Sequence, residues 1–452
     1  MVFKTAVEKL LRRSIEFPDY RCTIHADFLA VTLTHNATSL YLDLIVVFPG
    51  GGVLRYYLIS LQLERPALQL GFEIWAAELD RDPGNGGYVG SPPYVADLAA
   101  SLHRSYVHVI PALVLLWSVA TTAYASYNQE RTLKRIAGDS ALRYVVSHLS
   151  LPQLQATFGT TIGTYETWTK ATKLPVTVEE LGEGGRLLWI GPKRLERVVL
   201  FIHGGGFVLP PGPMALSFWR YVQLELEKQN IEVGFAMLNY SLAPHASFPT
   251  PLKQASLALN FLMAAGVKPQ NLQLAGDSAG GNIVLQVLSQ MLHPREGVPE
   301  IRLSAPLRGM YLISPWMNLC ADGGSHVENE GRDFITQAAL KEWGAHVLPT
   351  VPAPDRPFAE AIRAPDGWFK GAEAHVERVL ITAGSAELMR DDIVAFSEAF
   401  KKHHANTELV VQKGGLHEDM FLDFAVNEKK LSSLTPLTVE WLAAGFTAEP
   451  SA

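Results

Sequence analysis

A serine stands between two glycines where a predicted strand meets a predicted helix. Residues 276–281 read Gly-Asp-Ser-Ala-Gly-Gly, between the strand-like run 272–275 and the helical run 282–288. A sharp strand-to-helix turn brings neighbouring backbone so close that a β-carbon two residues before or after the serine would clash, which explains the glycines. The turn places the Ser278 hydroxyl at a helix N-terminus, where developing negative charge is favoured. The spacing predicts a nucleophilic serine, with a glycine-rich helix cap as the alternative.

A second glycine-rich segment lies upstream of the serine. The segment 203–206, His-Gly-Gly-Gly, directly follows the strand-like run 197–202. Three consecutive glycines leave backbone N–H groups unobstructed, which is what a tetrahedral oxyanion requires. A plain glycine-rich turn is the alternative, but the order of the two motifs favours an oxyanion loop followed by a nucleophile.

A histidine suited to act as the base follows in a glycine-containing loop. His417 comes after Gly414-Gly415-Leu416, between the strand-like run 408–412 and a helical run. Fourteen histidines are present, but His403 and His404 fall in a charged helix tail, where a solvated surface role is expected. We therefore predict that His417 takes the proton of the serine.

Three carboxylates compete for the role of the acid that orients the base. All of them follow the strand-like run 378–382 and precede the histidine, as the order serine, acid, histidine requires. Glu387 comes first, in the loop at the carboxyl end of the strand. Asp391 and Asp392 are placed to cap the following helix.

The elements that must position these residues alternate along the chain. After residue 145, helical segments separate six β-rich runs, at 197–202, 233–238, 271–275, 310–313, 378–382 and 408–412. Such alternation predicts a mostly parallel sheet with helices on both faces. Segments 145–190 and 321–370 are expected to form a cap whose large aromatics pack it or contact an apolar substrate: Trp168, Trp189, Phe334, Trp343, Trp368 and Phe369.

Composition and charge exclude several classes of protein. The 452 residues carry 38 Lys plus Arg against 45 Asp plus Glu, a formal charge of −7, without long blocks of one sign. This argues against a nucleic-acid partner. Hydrophobic residues make up 48%, so a folded core is expected. Cys22 and Cys320 are too few for a disulfide framework or a thiolate zinc site.

The first 129 residues divide in two, and nothing before residue 100 carries recognisable chemistry. Residues 1–104 form an N-terminal extension of unknown role, in which 40–63 predicts two strands joined by a turn. Residues 105–129 contain no Asp, Glu, Lys or Arg, and the stretch 106–126 reaches the length of about 20 residues that a membrane-spanning helix needs. A buried helix packing on the catalytic domain is the alternative, because several serines and threonines dilute its hydropathy.

Taken together, the motifs resemble those of the hormone-sensitive-lipase branch of the α/β-hydrolases, which is marked by His-Gly-Gly-Gly and Gly-Asp-Ser-Ala-Gly. Within that branch the chain is most similar to fungal steryl acetyl hydrolases and arylacetamide deacetylases, through segments 187–192, 203–209, 240–244, 276–282, 288–294 and 314–316. The resemblance covers residues 145–445. It implies an α/β-hydrolase fold, with a mostly parallel central sheet, helices on both faces and a cap.

The resemblance also implies roles for single residues. Ser278 would be the nucleophile and His417 the base, and the backbone amides of Gly205, Gly206 and Ala279 would hold the oxyanion.

The acid and one neighbouring position depart from the usual pattern of the branch. The branch's acid heads an acid-x-Leu-Arg-Asp stretch, which maps onto 387–391 and assigns the role to Glu387, where Asp is commoner. His245 stands where the branch usually has a Glu that organises the active-site loops, so that role is not implied here.

The function predicted is a serine ester hydrolase. His417 would deprotonate Ser278, the serine would attack an ester carbonyl, and water would release the acyl group. The expected substrate is a short-acyl ester of an apolar alcohol such as a sterol or a fungal secondary metabolite, with no metal or organic cofactor. Two alternatives stay open: an acyltransferase or other biosynthetic enzyme using the same triad, and an inactive binding protein on the same fold.

The resemblance bears on localisation too. Members of the group often carry an N-terminal membrane segment, so membrane association through residues 106–126 and localisation at the endoplasmic reticulum are expected. The cytoplasm is the alternative.

Overall fold

The computed structural model describes residues 118–119 and 121–448 in full and the backbone of five N-terminal strands. The chain divides into two compact units, Met1–Leu98 and Ala99–Ala452. The strands of the first unit pair antiparallel in sequential order: β1 (Arg21–Ala26), β2 (Leu29–His35), β3 (Ser39–Gly50), β4 (Val53–Glu64) and β5 (Leu70–Trp75). Gly50 of β3 pairs with Val53 of β4, so the two strands predicted within 40–63 are confirmed, while the residues between them lie outside the described residues.

The second unit is built on an eight-stranded sheet with the order β13-β12-β11-β10-β8-β9-β7-β6. Neighbouring strands from β13 to β9 run parallel, whereas β7 and β6 are antiparallel additions. The strands are β6 (Val178–Gly182), β7 (Gly185–Ile190), β8 (Val198–Ile202), β9 (Gly234–Asn239), β10 (Leu272–Asp277), β11 (Gly309–Ile313), β12 (Val379–Gly384) and β13 (Thr407–Gln412). The mostly parallel sheet is confirmed, and each of the six predicted runs is a strand.

Helices cover both faces of this sheet, as predicted. Along β8, alternate side chains point to opposite faces: Leu200 belongs to one buried apolar cluster and Phe201 to the other. The helices are α1 (Leu133–His148), α2 (Leu151–Phe158), α3 (Thr161–Thr172), α4 (Pro213–Lys228), α5 (Thr250–Ala264), α6 (Ala279–Leu292), α7 (Ser325–Glu328), α8 (Gln337–Val347), α9 (Arg356–Ala359), α10 (Arg390–Phe400), α11 (Asp419–Ala425) and α12 (Leu434–Thr447). Helices α5 and α6 pack on the first cluster, and α4 and α12 pack on the second.

The prediction that segment 145–190 belongs to a cap is partly wrong. The end of segment 145–190 forms β6 and β7, and Trp189 is fully buried inside β7. The apolar run 187–190 lies in the sheet because β7 pairs with β9. A short apolar run has no periodicity that distinguishes a buried strand from other buried structure. Segment 321–370 instead forms short helices between β11 and β12.

The stretch 106–126 is described only in its last part, since residues 106–117 and 120 lie outside the described residues. Ser118 Oγ donates a hydrogen bond to Ser140 Oγ of α1 at 3.0 Å. Helical residues 121–122 lead into a turn and then a short 3₁₀ helix, Ser126–Asn128. The end of the stretch therefore contacts α1. In the part of the chain that the structure describes, no helix has the length and hydropathy that crossing a membrane requires.

Candidate active site

Ser278 lies at the junction of β10 and α6 in a strained backbone conformation. Its φ is +49° and its ψ is −117°, a region that residues other than glycine rarely occupy. The Ser278 amide donates to the carbonyl of Ile313 at 2.9 Å, and its own carbonyl accepts from the amide of Trp316 at 3.0 Å. A β-carbon on Gly280 would lie 1.9 Å from the carbonyl oxygen of Ile202. The predicted strand–turn–helix and its requirement for glycine are therefore both present.

The segment 203–206 forms a loop at the carboxyl end of β8, beside this junction. Gly205 and Gly206 have φ values of +96° and +63°, and the Gly204 amide donates to Asp277 Oδ2 at 2.9 Å. Among the described residues, the amides of Gly205, Gly206 and Ala279 donate no hydrogen bond. These three amides are available to an oxyanion.

His417 is buried, and the structure places it next to Glu387. Nδ1 of His417 lies 3.8 Å from Glu387 Oε2, and Nε2 lies 3.5 Å from Glu418 Oε1. Neither ring nitrogen has a hydrogen-bond partner among the described residues, and Ser278 Oγ is not bonded to the ring. Hydrogen bonds of this kind are often long without substrate and tighten in the substrate complex. Nε2 is available to accept a proton.

The charges around His417 favour its protonated form. Burial disfavours a charged ring and lowers the pKa of His417. The carboxylates of Glu387, Asp333 and Asp277 favour the charged ring, and their combined effect is larger than that of burial. The net effect raises the pKa of His417 above its ordinary value.

Among the three competing carboxylates, only Glu387 faces His417. Glu387 is fully buried, and its Oε2 accepts a hydrogen bond from Ser314 Oγ at 2.6 Å. Asp391 is half exposed and pairs with Arg390 at 2.8 Å. Asp392 pairs with His326 Nε2, also at 2.8 Å. Both aspartates lie in the first turn of α10, where the sequence predicts them.

The loops that carry Glu387 and His417 pack directly on each other. They follow the paired parallel strands β12 and β13, whose carboxyl ends lie side by side. The Ala386 amide donates to the Gly415 carbonyl at 2.8 Å. A β-carbon on Gly384 would lie 2.3 Å from the same carbonyl oxygen, so glycine is needed for this approach.

Asp333, which the sequence analysis does not single out, joins these two loops. Its Oδ1 accepts a hydrogen bond from the amide of His417 at 3.2 Å, and its Oδ2 accepts one from the amide of Leu388 at 2.9 Å. Burial raises the pKa of Asp333 to about 6, although the nearby His417 lowers it. No local motif marks this residue, because both its partners lie more than 50 residues away in the chain.

Glu418 and Asp277 form a second buried carboxyl pair beside the base. Burial raises the pKa of each above its ordinary value. Their mutual repulsion adds to the rise for Glu418, the neighbour of His417 Nε2. The two groups therefore favour holding a proton between them, which reduces the negative charge next to Nε2.

Three further histidines among the described residues are buried, and two of them, His203 and His404, have structural roles. Burial lowers the pKa of His203 to about 4, so the ring is neutral, and its Nε2 lies 3.2 Å from Thr161 Oγ1. The surface role predicted for His404 is wrong. It is buried, with its Nε2 2.8 Å from the carbonyl of Val376. The charged neighbours that suggested solvent, Lys401 and Lys402, are themselves exposed, and all three residues follow the end of α10 at Phe400.

Two predicted aromatics lie beside the catalytic loops. The Phe334 ring is centred 5.8 Å from that of His417, and a β-carbon on Gly206 would meet the Trp343 ring at 2.4 Å. Trp168 instead contacts Ser217 and Trp368 contacts Ser289, each through its indole N–H at 3.0 Å. In the described part of the chain, no group of three His, Cys, Asp or Glu has the arrangement of a metal site.

Comparison with known proteins agrees with this geometry. The chain is 27% identical to an acetyl-hydrolase of Streptomyces hygroscopicus over 218 residues, which are 47% of this chain and 65% of that protein. It is 24% identical to a putative steryl acetyl hydrolase of Schizosaccharomyces pombe over 242 residues, 52% of this chain and 62% of the relative. With the arylacetamide deacetylase of Oryctolagus cuniculus it shares 31% identity over 155 residues, 33% of this chain and 37% of the relative. The chain thus spans less than two thirds of the length of these relatives.

The fold itself recurs in solved structures. A bacterial esterase of the hormone-sensitive lipase family superposes with a TM-score of 0.56 at 22% sequence identity, over 70% of this chain and all of that one. The profile of the family described as alpha/beta hydrolase fold matches residues 199–421, which include the serine, the glycine loop, the acid and the histidine. The predicted α/β-hydrolase fold is thereby confirmed, as is the similarity to steryl acetyl hydrolases and arylacetamide deacetylases.

Proposed function

We propose that this chain is a serine carboxylic-ester hydrolase. The observation that carries the proposal is the meeting of three features at the carboxyl ends of the parallel strands. These are the strained serine at a helix N-terminus, three unbonded amides beside it, and a buried histidine–carboxylate pair. The names of the relatives, which include acetyl-hydrolase and esterase, support the same activity.

The proposed reaction runs in two halves through an acyl-enzyme. Nε2 of His417 takes the Ser278 proton as Oγ bonds to the ester carbonyl carbon, and the carbonyl oxygen becomes an oxyanion held by backbone amides. The tetrahedral intermediate collapses, the C–O bond to the alcohol breaks, and the imidazolium gives its proton to the departing oxygen. Water then repeats the sequence on the acyl-enzyme and releases the acid. Glu387 stabilises the imidazolium in each half.

For the substrate we propose a short-acyl ester of an apolar alcohol, such as a sterol or a secondary metabolite. Two relatives are named as hydrolases of acetyl groups, and the name of one of them is putative steryl acetyl hydrolase. A small open cleft is lined by residues that include Phe207, which directly follows the glycine loop, together with Phe248, Val347 and Gln286. A mainly apolar lining with few polar groups suits an apolar ligand.

Hydrolysis of p-nitrophenyl acetate, p-nitrophenyl decanoate and a sterol acetate tests the proposal. Wild-type protein should hydrolyse the acetate faster than the decanoate and should be labelled by a fluorophosphonate, and Ser278→Ala should do neither. Absence of labelling and turnover in folded wild-type protein would favour the inactive binding protein. Transfer of the acetyl group to an added alcohol in preference to water would favour the acyltransferase.

We also propose membrane association at the endoplasmic reticulum through residues 106–126. Its support is the run of 25 residues, 105–129, without Asp, Glu, Lys or Arg. Expressed full-length protein should remain in the membrane pellet after carbonate washing, because apolar burial, unlike charge attraction, resists it. Recovery in the detergent-free soluble fraction would favour the cytoplasm.

A further inference from the structure

Helix α1, which lies outside the matched family region, contacts the His417 loop through arginine side chains. Nη2 of Arg131, two residues before the helix, donates to the carbonyl of Gly414 at 2.7 Å and to Asp419 Oδ1 at 2.6 Å. Nη2 of Arg135 donates to the same oxygen of Asp419 at 2.8 Å. Gly414 lies three residues before His417 and Asp419 two residues after it, so the arginines hold both sides of the base.

Asp419 connects the arginines to the loop backbone. Its Oδ1 also accepts a hydrogen bond from the amide of Leu416 at 3.1 Å, and its Oδ2 accepts one from Gln412 Nε2 at 2.8 Å. Burial alone would raise the pKa of Asp419, but Arg135 and Arg131 outweigh it and lower that pKa below its ordinary value. The carboxylate therefore stays ionised, and its charge-assisted bonds are the stronger kind.

Near the carboxyl end of α1, Arg143 contacts Asp333, whose side chain bonds to the backbone of His417. Nε of Arg143 donates to the carbonyl of Asp333 at 2.5 Å, and the side chain of Asp333 accepts the His417 amide. The His417 ring has no hydrogen bond of its own among the described residues. Its position thus depends on the backbone that Asp419 and Asp333 hold.

We propose that α1 with Arg131 is a positioning element for His417, which makes the base depend on a helix outside the matched family region. This inference rests on the proposed function. A buried ion cluster is a weak source of stability, since apolar replacements often stabilise a protein equally well. A base, by contrast, must be held within about 0.5 Å of its productive position. That requirement accounts for the bonds that both arginines make to Asp419, while Arg135 also pairs with Asp139 and Asp423.

The test compares variants of Arg131 in the full chain by their rates of fluorophosphonate labelling and ester hydrolysis. Arg131→Met removes both contacts, and a displacement near 1 Å costs about 10²-fold in rate. We expect labelling and kcat to fall 10- to 100-fold with KM within twofold. Arg131→Lys keeps the charge and should recover part of the loss, which also provides a folded variant if the methionine variant is unstable.

Arg308→Met is the matched control. Arg308 forms a similarly buried pair with Glu377, at 2.6 Å, but at the amino ends of β11 and β12, opposite the site. The Arg308→Met substitution should lower the melting temperature while leaving the labelling rate and kcat unchanged. The inference is overturned if Arg131→Met and Arg131→Lys label at the wild-type rate, or if Arg308→Met loses as much activity. An inactive wild-type protein would instead contradict the proposed function.

Discussion

Glu387→Gln is the most informative substitution in the proposed triad, because it removes one buried charge and preserves shape. Oε2 of Glu387 lies 3.8 Å from Nδ1 of His417. At that distance, with an effective dielectric constant of about 20, opposite unit charges attract by about 4 kcal/mol. Each 1.36 kcal/mol of lost transition-state stabilisation costs about tenfold in rate. The neutral amide should therefore slow hydrolysis by about 10³-fold.

The same substitution should move the pH dependence of the rate in a defined direction. His417 must be neutral to accept the serine proton, and its pKa is raised above its ordinary value, with Glu387 contributing to the rise. Wild-type kcat/KM should therefore fall as the pH drops through a pKa above the ordinary histidine value of about 6.5. Without the Glu387 charge that pKa is lower, so the acid limb of the Glu387→Gln profile should lie at lower pH.

The assay is kcat/KM for p-nitrophenyl acetate between pH 5 and pH 9, with Asp391→Asn and Asp392→Asn as controls. These two carboxylates follow Glu387 within five residues but pair with Arg390 and His326. Both controls should stay within a few-fold of wild type. A loss below tenfold for Glu387→Gln, or an equal loss in either control, would refute the assignment.

The remaining predictions concern the serine, its turn and a structural histidine. Ser278→Ala should lower kcat by two to four decades or more with little change in melting temperature, as measured by ester hydrolysis and thermal unfolding. Gly280→Ala should reduce the free energy of unfolding by about 1–3 kcal/mol or more in urea titration, because the new β-carbon would lie 1.9 Å from the Ile202 carbonyl oxygen. His404→Gln should lower stability by about 1–3 kcal/mol through its lost bond to Val376 yet keep kcat; a loss of kcat matching that of His417→Gln would contradict its structural role.

Local sequence determined the nucleophile turn, the glycine loop and the strand pattern of this protein. Gly276 and Gly280 are required by close backbone approach around Ser278, and such steric demands are visible within a few neighbouring residues. The parallel strands are buried on both faces, so they read as short apolar runs separated by helices. The same local logic placed His417 in a loop after the last strand.

Only the tertiary structure decided which groups surround that histidine. Position in the chain and resemblance favoured Glu387, but its approach to His417 and the separate pairing of Asp391 and Asp392 are contacts between distant segments. Asp333 contacts the His417 backbone from more than 80 residues away, and Arg131 and Arg135 contact the same loop segment from more than 280 residues away. Local periodicity reports which face of an element is buried, whereas the side chains that meet across an interface depend on how whole elements pack. The turn that carries Ser278 is thus encoded locally, and the environment of His417 is a product of the fold.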